Sequence, residues 1–582
     1  MDLEVQENNL RSDRIRSERA KNMQEKIKQY IEEILKELEL PQVNFDVELP
    51  KDISNGDFST NISLVLSKQV GKNPKEIAEQ VLTILKTKNY PEFSNIEIAG
   101  PGFINFYLSK EYFESQIAQP VSKIETQYTD KEIIMEYIDP NPFKQFHIGH
   151  LMAGTIGESI SRLYELGGAD VTRMCYQGDI GPHVAKCVWG MIQHKETFPQ
   201  DQDSIEDKIK FIGDSYVYGA TQYKESPEAE IEIKELNKKL FEKSDAELQV
   251  YYEKGRVWSL EGFELMYKKI GTKFDTYMYE TQTAPIGEKL VRENLANGIF
   301  EKSEESDAII YKGENDGLHT RVFINSQGLP TYEAKDLGLA VVKSEMGNFV
   351  RSIVITGAEQ TDYFKVMLAV LSKIKPEEAQ KTTHITHGLM LFNGKKMSSR
   401  EGALLADDLI EETKQKVEEK IVGREYTEEE KKEIIEAVAI SALKYSILKQ
   451  TPGKNIIFDF EKSISFEGDS GPYIQYAYTR AMSILGKVGE VNMDAKNNKD
   501  TYTIEKLLIR FESVITRAIN ELAPQLVANY LVELAGEFNS WYANERIIGG
   551  ENESYKLLIT KKVAEVLKSG LNVLGIKVTG KM

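Results

Sequence analysis

The 582-residue chain is long enough for three or four domains at roughly 150 residues each, and its 41% apolar content can fill several cores, which excludes a disordered or fibrous protein. Lys and Arg number 73 against 92 Asp and Glu, a net charge of −19 that on its face argues against a nucleic-acid partner. Two cysteines, Cys175 and Cys187, exclude a disulfide scaffold and a four-thiolate zinc site, and no other ligand spacing indicates a metal.

Residues 1–20 form a polar tail whose arginines are interleaved with acids. It lacks the apolar stretch of a secretory signal, and the longest runs free of charged side chains are too short to span a membrane. The expectation is a cytoplasmic protein with no membrane partner. Residues 21–125 then predict an α+β domain. Met23, Ile27, Ile31, Ile34, Leu35 and Leu38 recur at helical spacing, and Pro41 ends that helix. A second helix starts at Pro74 and buries Ile77, Ala78, Val81, Leu82 and Leu85. The segment IEIAGPGFINFYLS (96–109) reads as two strands around a Gly-Pro-Gly turn.

From Ile133 the pattern changes. IIMEYI (133–138) is a buried strand broken by Pro140 and Pro142. A helix from about Gly149 ends in a Gly167-Gly168 cap, and ADVTRMCY (169–176) is the next strand. Strand, loop, helix and strand make a βαβ unit, so the sheet is parallel. SIVITG (352–357) and GLMLF (388–392) fit further strands, whereas 195–300 reads as a charged helical insertion. The pattern from Thr427 onward is nearly all helical, with Thr427 as an N-cap.

Two loops carry chemistry. Asn141-Pro-Phe-Lys144-Gln-Phe-His147-Ile-Gly149-His150 lies between a parallel strand and its helix, where ligands bind and a helix N-terminus favours anions. The histidines and Lys144 can donate to a polyphosphate, and Gly149, without a Cβ, lets a flat base approach the backbone. The second loop, Lys395-Lys396-Met397-Ser398-Ser399-Arg400-Glu401-Gly402, follows GLMLF and combines cations and hydroxyls suited to a developing pyrophosphate.

In this order the two loops resemble the His-Ile-Gly-His and Lys-Met-Ser-Lys-Ser signatures of class I aminoacyl-tRNA synthetases. Ser399 stands where the second lysine usually sits, and Arg400 follows it. Arginyl-tRNA synthetases often lack that lysine and carry one upstream of the first signature, which is the place of Lys144. Six dispersed segments and the chain's ending also resemble that family: GDFSTN (56–61), IAGPGFINFYLS (98–109), YQGDIGPHVAK (176–186), LPTYEAKDLGLA (329–340), ITGAEQTDYFKVM (355–367), SFEGDSGPYIQYAYTR (465–480) and LGIKVTGKM (574–582). The resemblance implies an α/β, Rossmann-type catalytic domain over 126–450. An N-terminal domain that contacts transfer RNA precedes it, and an all-α anticodon-binding bundle over 451–582 follows.

The implied reaction is ATP-dependent activation of L-arginine, with Mg2+, and transfer to tRNA(Arg), by a monomer. Lys144, His147, His150, Lys396 and Arg400 would act on the phosphates, and His147, Gly149, His150, Lys396 and Ser398 would hold ATP. Glu136, Tyr332 and Asp336 would read the guanidinium, while Asn141 and Gln360 hold the α-amino end. Tyr332 and Asp336, four apart, share a helix face. Asp139 departs from the small polar residue more usual at its position. Tyr473, Gln475, Tyr476 and Met582 would touch RNA, by stacking or edge hydrogen bonds. A synthetase for another amino acid and a non-catalytic RNA-binding paralogue are the competing readings. Paired Glu136 and Asp336 oppose the first, and the intact histidines and lysines oppose the second. The charge objection weakens once it is localised: residues 451–582 carry 16 basic and 16 acidic side chains, and 126–450 carries 41 against 55. Local basic patches on an acidic body then have to hold the RNA backbone.

Overall fold

The computed structural model describes residues 23–50, 52–392, 398–399 and 402–582. Its N-terminal unit packs helices Met23–Glu37, Ile62–Val70 and Pro74–Lys88 on an antiparallel four-stranded sheet. The Pro74 helix starts as expected, with the Asn73 side chain accepting from Lys75 N at 2.9 Å. The Gly100–Gly102 turn joins strands Phe93–Ala99 and Phe103–Leu108.

The central sheet has five parallel strands: β1 (Glu132–Glu136), β2 (Asp170–Gln177), β3 (Thr276–Tyr279), β4 (Arg351–Gly357) and β5 (Thr382–His387). Their spatial order is β5-β4-β1-β2-β3, a doubly wound arrangement. β1 is central, so both its faces are covered, which is why its sequence is continuously apolar rather than alternating. Helix α1 (Ile148–Leu166) returns the chain from β1 to β2. Gly168 takes the left-handed conformation at φ 81°, whereas Gly167 at φ −76° is needed for space: a Cβ there would lie 2.5 Å from Ile519 of the C-terminal bundle.

The tertiary structure corrects three expectations. GLMLF contributes Met390–Phe392 to a separate two-stranded pairing with Ile456–Phe458, and the fifth strand of the central sheet is the preceding TTHITH. β3 lies inside the stretch expected to be a helical insertion. It is a four-residue, half-buried edge strand, too short to show a periodicity. Helices α2 (Pro182–Gln193), α3 (Ile205–Glu225), α4 (Pro227–Glu242) and α5 (Ala246–Ile270) precede it, and α6 (Glu280–Leu295) follows. A small antiparallel sheet of Glu301–Lys302, Ile309–Tyr311 and Arg321–Ile324 was also unforeseen. It leads into α7 (Tyr332–Glu345), and α8 (Thr361–Ile374) follows β4.

Thr427 caps helix Glu428–Leu448: its hydroxyl accepts from Glu430 N, and the Glu430 carboxylate accepts from Thr427 N at 3.0 Å. The helices beyond share one apolar core with the central sheet, running from Ile133 and Met135 through Leu163 to Ile519 and Leu571. Arg162 of α1 reinforces this junction by donating to the backbone and side-chain oxygens of Asn572 at 3.0 Å. Among the described residues no helix is long and apolar enough to cross a membrane.

Candidate active site

The strand order reverses between β1 and β4, which opens a crevice beyond their carboxyl ends. An open cleft lies there, lined by residues of β1, α1, α7, α8 and the loops between them. The loop after β1 is unusual. Ile138, Asp139 and Phe143 all have positive φ, at 74°, 45° and 68°. Three left-handed non-glycine residues in six positions need outside support. Phe143 N donates to Ser259 Oγ at 2.9 Å, and the Asp139 carboxylate accepts from Tyr176 N at 2.7 Å. This settles what the unusual Asp139 does locally: it ties the strained loop to the neighbouring strand.

His147 is the N-cap of α1. Its Nδ1 accepts from Gly149 N at 3.1 Å, and His150 Nδ1 accepts from His147 N at 3.2 Å. The two rings stack, with centroids 3.7 Å apart. With each Nδ1 accepting, the ring proton resides on Nε2 and is free to donate. Burial lowers the pKa of His147 and, more strongly, of His150, and the nearby Lys144 adds to both effects. Both rings are therefore neutral donors at pH 7, placed at a helix N-terminus that attracts anions. Gly149 has a nearer purpose than admitting a base: a Cβ there would sit 2.9 Å from the His147 ring.

The opposite wall is acidic. Glu136 ends β1 and is paired with Lys343 of α7. Asp336, on the same face of α7 as Tyr332, accepts a hydrogen bond from Tyr363 of α8. Burial, with Glu136 and Glu280 close by, raises the Asp336 pKa to about 8, against the lowering effect of the Tyr363 hydroxyl. Asp139 is likewise raised well above the usual carboxylate range by burial and by Glu136. Among the described residues no ion pair closes on Asp139 or Asp336. Glu280 also lines the cleft, but its charge is balanced by the buried Lys335 ammonium at 2.5 Å. The floor is thus built to receive one cation in a protected setting.

The cleft brings together Glu136, Asn141, His147, Gly149, His150, Tyr332, Asp336 and Gln360 from three separate stretches of chain. Asn141 packs over Gly178, where a Cβ would lie 2.2 Å from its Oδ1. Lys144 is half-buried with its ammonium 5.6 Å from the Tyr216 ring centre, and burial with Lys186 nearby lowers its pKa. It stands beside the histidines without lining the cleft itself. Lys396, Arg400 and the Ser398 side chain lie outside the described residues. The backbone of Ser398–Ser399 pairs with Gly402–Ala403. Tyr363, Lys335 and Lys343 were not anticipated. The first two occur within the recognisable segments, whereas Lys343 looked like an ordinary charge near the end of a helix.

One of the expected RNA contacts is corrected. Gln475 is fully buried and donates to Lys577 O at 2.6 Å, so it secures the C-terminal tail rather than facing RNA. Met582 packs against the cluster of Val417, Ile421 and Ile434. Tyr473 and Tyr476 are half-buried. The Arg480 guanidinium lies over the rings of Tyr476 (4.7 Å) and exposed Tyr542 (5.2 Å), forming a cationic aromatic patch.

The model for the tRNA synthetases class I (R) catalytic domain matches residues 114–460. The arginyl tRNA synthetase N terminal domain matches 21–108, and the DALR anticodon binding domain matches 474–582. An arginine–tRNA ligase of Flavobacterium psychrophilum is 32% identical over 524 residues, covering 84% of this chain and 85% of that one. The chain belongs to the arginyl-tRNA synthetase family. An arginine–tRNA ligase of Clostridium botulinum is 29% identical over 96% of this chain and 98% of its own. Among solved structures, the fold matches that of an arginyl-tRNA synthetase of Thermus thermophilus, with TM-score 0.79, 24% identity and coverage of 96% of this chain and all of that one. It also matches that of Plasmodium falciparum, with TM-score 0.81, 20% identity and coverage of 97% of this chain and all of that one.

Proposed function

We propose that this member of the arginyl-tRNA synthetase family joins L-arginine to tRNA(Arg) in two steps. The arginine carboxylate attacks the α-phosphorus of Mg-ATP in line, giving arginyl-adenylate and pyrophosphate. The terminal ribose hydroxyl of the RNA then attacks the activated carbonyl, and AMP leaves. No protein nucleophile is required, because catalysis consists of alignment and charge stabilisation. His147 and His150 donate through Nε2–H to the phosphates, assisted by Lys144 and by Lys396, Ser398 and Arg400 of the second signature. Gly149 keeps the His147 ring in place. Glu136, Asp336 and Tyr332 receive the guanidinium, and Asn141 and Gln360 hold the α-amino group. Tyr473 and Tyr476 contribute to the RNA-binding face, where the Arg480 patch supplies the local positive charge that the acidic body lacks. The enzyme works as a monomer in the cytoplasm.

The observation that carries this reading is the placement of a carboxylate floor, with no ion pair on Asp139 or Asp336 among the described residues, opposite a neutral histidine pair at one switch-point cleft. A guanidinium fits the first and a triphosphate the second. ATP–pyrophosphate exchange, run with each amino acid and with or without transfer RNA, tests it. Exchange that depends on arginine is the expected result. Exchange with another amino acid would refute the substrate, and no exchange even with RNA would favour a binding-only protein.

A further inference from the structure

Behind the carboxylate floor lies a second, much smaller chamber. Glu136 and Asp336 line both spaces, whereas Lys343 lines only the rear one. The rest of the chamber is mainly apolar, with Leu339, Phe349, Val354 and Met367 among its walls. Lys343 is 6% exposed. Its ammonium pairs with the Glu136 carboxylate and donates to Ser352 Oγ of β4 at 3.2 Å, and Ser352 is itself fully buried. An ammonium costs too much to bury unless its partners are fixed, and here they are fixed by two adjacent strands of the central sheet.

We propose that Lys343 is a positioning residue of the arginine pocket: its ammonium anchors the Glu136 carboxylate from the rear, leaving the front of the carboxylate and its neighbours to the substrate guanidinium. This rests on the proposed function and adds a specificity-determining group to it. Three carboxyl groups, on Glu136, Asp139 and Asp336, crowd this corner, and like charges so close cannot all ionise unaided. Tyr176 of β2, Glu280 of α6 and Tyr363 of α8 face the same group, and of these only the Tyr363 hydroxyl favours the Asp336 anion. Lys343 is the cation that acts on Asp139 and Asp336 together, favouring the charged form of each. Its position behind Glu136 keeps it out of the space the substrate takes. The pocket gains an internal counter-ion without losing its front face.

The test pairs a titration of the free protein with kinetics. Side-chain carboxyl signals are followed by carbon-13 NMR, with Asp336 assigned through Asp336→Asn, in wild type, Lys343→Met, Lys343→Gln and Lys343→Arg. Gln keeps hydrogen-bonding capacity without the charge, so it carries the test where Met disrupts folding. The Asp336 midpoint is expected to rise by roughly one to three pH units in the neutral variants. KM for arginine should rise at least tenfold with a smaller change in kcat, and the acidic limb of kcat/KM should move to higher pH. ATP-induced thermal stabilisation should be retained, and Lys343→Arg should restore midpoint and KM. A folded neutral variant with wild-type midpoint and KM would overturn the proposal. A raised midpoint in a chain whose wild type shows no arginine-dependent exchange would support the charge role and refute the substrate reading instead.

Discussion

With Asp336 in its proposed role of reading the guanidinium, its raised pKa makes arginine binding a proton-linked event. In the empty pocket Asp336 titrates at about 8, because burial and neighbouring Glu136 and Glu280 outweigh the Tyr363 hydrogen bond. At pH 7 it is therefore about nine-tenths protonated. A guanidinium needs the anion, so binding must expel that proton. The apparent affinity is the intrinsic affinity multiplied by the ionised fraction, a cost of about 1.4 kcal/mol at pH 7. Arginine affinity should rise roughly ninefold from pH 6 to 7 and about fivefold from pH 7 to 8, then level off. Calorimetry in phosphate and in Tris, which differ in ionisation enthalpy, should give release of about 0.9 proton per arginine at pH 7. Asp336→Asn should abolish both effects while weakening binding. Tyr363→Phe removes the one hydroxyl that favours the anion, so the transition should move to higher pH. Affinity that is flat across pH 6–8, with heats independent of buffer, would refute the reasoning.

Three further outcomes follow from particular contacts. Lys144→Ala should slow adenylate formation by roughly 10²–10³-fold with little change in arginine KM, because Ser399 supplies no ammonium in its place. Single-turnover kinetics separate the two, and near-normal activation would exclude the compensation. In Gly149→Ala the new Cβ would sit 2.9 Å from the His147 ring, so ATP affinity and activation should fall while the melting temperature changes little. A loss of arginine affinity alone would contradict this. Gln475→Ala should lower stability by about 0.5–1.5 kcal/mol in urea unfolding, since it removes the hydrogen bond by which the buried amide ties Lys577 O to the bundle. Unchanged stability with weakened RNA binding would restore Gln475 to an RNA-contacting role.

The site was legible where its residues are held by local sequence. The strand, the two prolines and the helix N-terminus place the histidines, and four-residue spacing sets Tyr332 and Asp336 on one face. Lys343 was illegible because its meaning lies in a partner some 200 positions earlier in the chain. Gln475 misled for the opposite reason. It stands between tyrosines that reach the surface, but its own side chain points into the bundle, and only the packing of the C-terminal tail reveals that. β3 and β5 escaped notice because a four-residue edge strand and a threonine- and histidine-rich strand leave no clear apolar pattern.

By itself, the sequence determined the parallel βαβ core, the helical C-terminal region and the family, because backbone periodicity, capping residues and short motifs are local properties of the chain. Only the tertiary structure decided which carboxylates share a floor, that Lys343 backs Glu136, and that the C-terminal bundle and the catalytic sheet have a common core. These depend on groups distant in sequence entering the same low-dielectric space, where burial turns ordinary surface charges into a tuned site.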